Sequence, residues 1–246
     1  MVPFKHKNYL GTYLVIGEAK CGTSSLYKYL IQHPNITPAR CKELHYFDKV
    51  DNINPSRYFS LLSSNTNLTI PFMLGEATPA YFRVKRSPDI PKTIKNTIPG
   101  VHLILLVRNP IDRMYSNYWH HVRKHGEKRP FEKAMYSWFK NPISDYSGNL
   151  KRWLRYFNLN QMFIIKSADF FNNIQNGYQR LCTFLGLSVV NLNDVSPVIP
   201  TAPKEAIPTK HYPKMKRSTR EILRNMFVDQ MQEFHDLTGI SWDEFV

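Results

Sequence analysis

Tyr13-Leu-Val-Ile-Gly-Glu-Ala-Lys20-Cys-Gly-Thr23-Ser24-Ser25-Leu26 is an apolar strand that runs into a tight loop and opens directly into a helix. Gly17 and Gly22 allow a close backbone turn, and the hydroxyls of Thr23, Ser24 and Ser25 crowd the helix start. Unpaired N–H groups and the positive end of the helix dipole meet there, which makes a site for an anion, typically phosphate. The glycine spacing is G-x-x-x-x-G, but Thr23 follows the second glycine where a nucleotidase needs lysine. The lysine lies earlier, at Lys20. That displacement points away from ATP and towards another phosphorylated donor.

At 246 residues and 42% hydrophobic content, the chain is expected to form a single domain over 1–246 whose core needs neither disulfides nor metal. No apolar run approaches the ~20 residues that span a bilayer. The start, Met1-Val-Pro-Phe-Lys-His-Lys, lacks an apolar region followed by a cleavage site. Cys21, Cys41 and Cys182 neither pair evenly nor show zinc spacing. These features predict a cytoplasmic protein with no membrane anchor and no metal. Formal charge is +14, from 33 Lys and Arg against 19 Asp and Glu. Such an excess suits a polyanionic partner: nucleic acid, an anionic polysaccharide, a nucleotide donor or a membrane surface. The chain carries no aromatic–basic RNA motif, zinc finger or helix-turn-helix signature, so a nucleic-acid module would explain the charge but none of the loops.

Apolar and breaker patterns predict strands at 12–17, 72–76, 101–107 and 162–165, alternating with helices at 23–33, 109–124, 147–157 and 171–185. Lys42–Phe47 reads as extended, and a capping box, Ser218-Thr-Arg-Glu221, opens a last helix that runs to Gly239. The alternation predicts an α/β fold: a P-loop-like parallel sheet with helices on both faces. Residues 191–215, rich in proline and lysine, are expected to fold over the surface.

Two more constellations carry chemistry. Strand 101–107 runs into Arg108-Asn-Pro-Ile-Asp-Arg-Met-Tyr-Ser116-Asn-Tyr-Trp-His120. Arg108 stands at a strand's carboxyl end, where open α/β sheets bind ligands. Asn109 caps the following helix with Pro110 at its first position, and Ser116 and His120 share a face of it. An arginine fork and a hydroxyl suit a second phosphate. In Lys42-Glu43-Leu44-His45 an extended backbone would point Glu43 and His45 to one side. Either could accept the proton of an attacking hydroxyl.

The loop Lys20-Cys-Gly-Thr-Ser-Ser resembles the 5′-phosphosulfate loop of sulfotransferases that use 3′-phosphoadenosine 5′-phosphosulfate (PAPS), and Arg108–Ser116 resembles their 3′-phosphate site. Within that superfamily, Lys42-Glu-Leu-His-Tyr-Phe-Asp48, Gly75-Glu-Ala-Thr-Pro-Ala-Tyr81 and Leu150–Phe157 are similar to segments of the heparan sulfate and carbohydrate branch. The resemblance implies sulfuryl transfer from PAPS to an acceptor hydroxyl or amine, of a saccharide or else of a small-molecule secondary metabolite. It implies that Lys20, Cys21, Gly22, Thr23, Ser24 and Ser25 hold the 5′-phosphosulfate, and that Arg108 and Ser116 grip the 3′-phosphate. Glu43 matches the family base, and His120 matches a histidine of the N-sulfotransferase site. Two departures stand out. Ala77 occupies the place of a family lysine. The disulfide-closed loop that covers the adenine has no equivalent, Lys210 falling near that loop's arginine.

Overall fold

Successive side chains of β1 (Tyr9–Gly17) enter opposite cores, which divides the molecule. Leu14 and Ile16 enter one core while Tyr13 and Val15 enter another on the opposite face. β4 (His102–Val107) alternates likewise, with Leu103, Leu105 and Val107 on the first side and Ile104 and Leu106 on the second. Strands buried on both faces belong to a parallel sheet covered by helices. The computed structural model describes residues 6–49, 52–63, 66–67, 69–83, 89–140, 145–192 and 213–245.

Five parallel strands run in the order β2-β3-β1-β4-β5, with β2 at Ile36–Pro38, β3 at Phe72–Ala77 and β5 at Met162–Lys166. From β1 the chain passes through α1 (Thr23–Leu30) to the β2 edge, returns through α2 (Tyr46–Lys49) and α3 (Pro55–Leu62) to β3, and follows α4 (Ile90–Thr97) to β4. β1 therefore lies between strands from two separate excursions, and the carboxyl ends of β3, β1 and β4 open side by side. Sheets of this kind bind ligands in such a place.

The first core receives α3, α4, α5 (Pro110–His125), α6 (Phe131–Phe139), α7 (Tyr146–Leu154) and α10 (Arg217–Thr238); the second receives α1, α8 (Ser167–Asn172) and α9 (Ile174–Phe184). Asn109 caps α5 as expected, its Oδ1 accepting the Ile111 and Asp112 N–H groups at 2.9 and 3.4 Å. Gly186, at φ +69, ends α9, with the Leu187 N–H donating back to the Cys182 carbonyl.

Other expectations need correction. The 171–185 helix is two helices, because Asn173 leaves helical geometry (φ −138°, ψ 81°) and turns its side chain to cap the second through the Asn176 N–H. α10 starts at Arg217 after Lys216, so Ser218 lies within the first turn and forms no capping box; Glu221 pairs with Arg217 instead. The strand β2 and the helices α4 and α6 were not anticipated. The surface expected over 191–215 falls mostly outside the described residues, as does Lys210.

Trp153 on α7 is 1% exposed, and its indole N–H donates to the Phe82 carbonyl at the end of the 3₁₀ turn Pro79–Phe82. Truncation leaves a large cavity and an unpaired buried carbonyl. Trp153→Ala is expected to lower unfolding free energy by about 3–5 kcal/mol, measured by urea denaturation.

Candidate active site

Glu18, Ala19, Lys20 and Cys21 form a turn at the end of β1, closed by the Cys21 N–H on the Glu18 carbonyl at 3.1 Å. Lys20 sits in it at φ +69, half-buried. Gly22 follows at φ +89 and is the N-cap of α1, where no side chain takes up the first N–H groups. A Cβ on Gly22 would meet the Phe171 ring at 2.5 Å, so both conformation and space require glycine there. Thr23 is buried, Ser25 half-buried and Ser24 exposed. The result is a helix N-terminus with open donors and a lysine directly before it, which suits a phosphate-like anion.

Arg108 leaves the end of β4, next to β1, so it stands beside this turn. Tyr146 joins the two: its hydroxyl donates to the Arg108 carbonyl at 3.1 Å and lies 3.7 Å from Cys21 Sγ. Ser167 Oγ lies 2.6 Å from the Cys21 carbonyl and 3.1 Å from that of Val107. Burial pushes the Cys21 thiol up to about 11, so it is a packed thiol rather than a nucleophile. Ser116 and His120 are both half-buried on α5.

The Glu43 segment is not extended. Glu43 and His45 take left-handed φ values of +62° and +52°. Their side chains still meet, His45 Nε2 lying 3.7 Å from Glu43 Oε2. His45 Nδ1 lies 2.8 Å from Asp48 Oδ2, which orients the ring, and Lys42 pairs with Glu43. Asp48 was missed as a partner, although its spacing of three from His45 at a helix start was visible in the sequence. Glu76, which organises the segment, was missed as well, and no local spacing marks it, because Leu44 and Tyr58 lie far from it in the chain. It is fully buried and accepts hydrogen bonds from the Leu44 N–H (3.1 Å), Thr78 Oγ1 (2.6 Å), Tyr81 OH (2.8 Å) and Tyr58 OH (3.2 Å). Desolvation raises its pKa against the pull of these donors.

His120 faces the donor turn from α5. Its pKa is lowered to about 4, first by desolvation and then by the charges of Lys20, His121, His125 and Arg123. His121 and His125 continue this cluster, their ring centroids 4.7 Å apart. Among the described residues no group of three or more His, Cys, Asp or Glu is arranged to hold a metal, and no helix is long and apolar enough to cross a membrane.

A family model described as the sulfotransferase domain matches residues 11–235. The chain belongs to the sulfotransferase family. Among curated relatives, the mouse heparan sulfate glucosamine 3-O-sulfotransferase 3B1 is 26% identical over 94% of this chain, which spans 64% of that protein. The mouse bifunctional heparan sulfate N-deacetylase/N-sulfotransferase 4 is 26% identical over 74% of this chain and 23% of its own length. Of solved structures, a sulfotransferase from Alicyclobacillus acidocaldarius superposes with a TM-score of 0.77 at 23% identity, covering 96% of this chain and 98% of that one. The mouse sulfotransferase SULT7A1, complexed with PAP, gives 0.60 at 12% identity over 91% and 85%. Both share the fold.

His120 is expected to titrate near pH 4 in the unliganded protein, followed by NMR of its ring. Lys20→Ala removes a neighbouring positive charge that opposes protonation, so the midpoint should rise towards the ordinary value of about 6.5. An unchanged midpoint would separate the two residues.

Proposed function

We propose that this sulfotransferase moves a sulfuryl group from PAPS to a saccharide hydroxyl or amine, as one catalytic unit over 1–246. The observation that carries the donor assignment is the open N-terminus of α1 with Lys20 immediately before it. The PAP complex of SULT7A1, which shares the fold, supports the same donor. The saccharide assignment rests on the named activity of the heparan sulfate relatives.

In this reading the backbone N–H groups and hydroxyls of Gly22, Thr23, Ser24 and Ser25 cradle the 5′-phosphosulfate. Arg108 and Ser116 take the 3′-phosphate, and Lys210 adds a cation on the donor side. The acceptor oxygen bonds to sulfur as the bond from sulfur to the bridging oxygen breaks. Lys20 neutralises the charge that grows on that oxygen, and adenosine 3′,5′-bisphosphate (PAP) departs. Glu43 takes the acceptor proton, while His45, held by Asp48, orients the carboxylate. In-line transfer of this kind needs alignment and well-placed cations more than covalent help from the protein. His120, neutral at physiological pH, is free to donate or accept a hydrogen bond at the acceptor without repelling the ammonium of Lys20.

Two measurements test this. PAP at 100 Kd should stabilise the protein by about 2.7 kcal/mol in thermal unfolding, and ATP–Mg²⁺ at equal concentration should not. Equal stabilisation by both would reject the donor assignment. With labelled PAPS and a saccharide acceptor, Lys20→Ala should lose on the order of 10²–10³ in rate. Glu43→Gln should abolish transfer while PAP affinity stays near wild type, because the amide keeps the shape but takes no proton. Substantial turnover by Glu43→Gln would move the base role to His45 or His120.

A further inference from the structure

Glu18 has no part in the chemistry proposed above, yet it is 0% exposed in the turn that carries Lys20. Its Oε1 accepts the Ala19 N–H at 2.6 Å and Arg83 Nε at 2.8 Å, and Arg83 Nη2 lies 2.7 Å from the same oxygen. The carboxylate thus braces the turn from within, and an arginine from another part of the chain holds the carboxylate. A buried ion pair adds little net stability once desolvation is counted, so its value is expected to lie in the geometry it imposes.

Arg83 immediately follows the 3₁₀ turn Pro79–Phe82, and the chain leading into that turn holds the other half of the cleft. Thr78 Oγ1 accepts from the His45 N–H at 3.4 Å, and Tyr81 OH accepts from the Tyr46 N–H at 2.9 Å. Glu76 accepts from the Leu44 N–H, and the Ala77 carbonyl accepts from the Glu43 N–H at 3.1 Å. The turn also packs hard against β1: a Cβ on Gly17 would come within 2.7 Å of Phe82 Cβ. Trp153 fixes the Phe82 carbonyl from α7.

We infer that residues 76–83 act as a strut that sets the position of Lys20 relative to Glu43, with Glu18 and Arg83 as positioning residues at its donor end. One continuous stretch bonds the backbone of 43–46 at one end and the Lys20 turn at the other, so the spacing between cation and base is held by eight residues of chain. The strut's catalytic meaning rests on the reading of this cleft as a sulfuryl-transfer site; its mechanical link does not.

The unliganded protein provides the test, with the His120 ring as reporter because Lys20 is one of the charges acting on it, beside His121, His125 and Arg123. The Lys20→Ala shift of the His120 midpoint calibrates the effect of losing the ammonium. Glu18→Gln and Arg83→Gln should each raise the midpoint by at least half of that shift, as the turn relaxes and Lys20 moves away. Arg83→Lys, which keeps the charge but not the planar fork, should give a partial rise. Loss of the Glu18 charge without movement of Lys20 acts in the opposite direction, since it removes a nearby negative charge. A fallen or unchanged midpoint in folded Glu18→Gln and Arg83→Gln proteins would therefore overturn the strut. Arg83→Gln also removes a positive charge, one that acts on the adjoining His121, and would raise the midpoint even with Lys20 in place. Should Glu18→Gln fail to fold, Arg83→Lys, which keeps the charge, therefore decides. In turnover, the folded variants should lose on the order of 10²-fold in kcat, as for a misplaced catalytic group, with PAP affinity falling far less. A parallel loss of both would indicate general disruption and reject the positioning role. Failure of the wild type to bind PAP would reject the sulfuryl-transfer reading and leave the titration result standing.

Discussion

A carboxylate inside an apolar core is costly, and the cleft is arranged around one. Glu76 lies on the β3 face that also carries Phe72 and Leu74 into the first core, where desolvation raises its pKa. Four donors offset that burial, and three of them come from side chains, Tyr58, Thr78 and Tyr81. The fourth is the backbone of Leu44, between Glu43 and His45. Because those two neighbours adopt left-handed backbone angles that cost energy in non-glycine residues, the segment needs such an anchor. Glu43 can then stay exposed at its tip while its backbone is fixed, which is what a proton acceptor facing a large substrate requires.

The donor side follows a different principle. There no side chain caps the first turn of α1, and Lys20 precedes that turn. Rigidity comes from below, through Tyr146 between Cys21 and Arg108 and through Ser167 against the Cys21 carbonyl. α5 is steadied at its first turn as well. Arg220 of α10 bridges Asp112 and Glu244 at 2.7 Å each, and Glu244 accepts from Asn109, the α5 cap. The 3₁₀ turn Asp243–Phe245 therefore holds the helix that presents Ser116 and His120. These pairs are partly exposed, and their contribution is orientation more than stability.

Much of this was legible in the chain. The strands β1 and β4 are apolar runs long enough to be recognised, and the turn residues after them, Gly22 and Asn109-Pro110, announce the helices through local geometry. Local rules failed where a longer-range contact competed. Ser218 and Glu221 have capping-box spacing, but α10 begins one turn position earlier and Glu221 pairs with Arg217. Lys42–Phe47 has the alternation of a strand, but bonds to Glu76, Thr78 and Tyr81 bend it into left-handed turns.

The sequence by itself determined the alternation of strands and helices, the glycine-rich turn with its displaced lysine, and the residue types of each constellation. These depend on neighbours within a few positions, where periodicity and backbone sterics act. Tertiary structure alone decided that Glu18 meets Arg83, that Glu76 gathers Leu44, Tyr58 and Tyr81, and that His120 is desolvated beside Lys20 so that its pKa falls. Apart from Glu76 and Tyr81, those pairings join residues well separated in the chain. Their strength comes from a low-dielectric environment that exists only once the two cores have closed around the sheet.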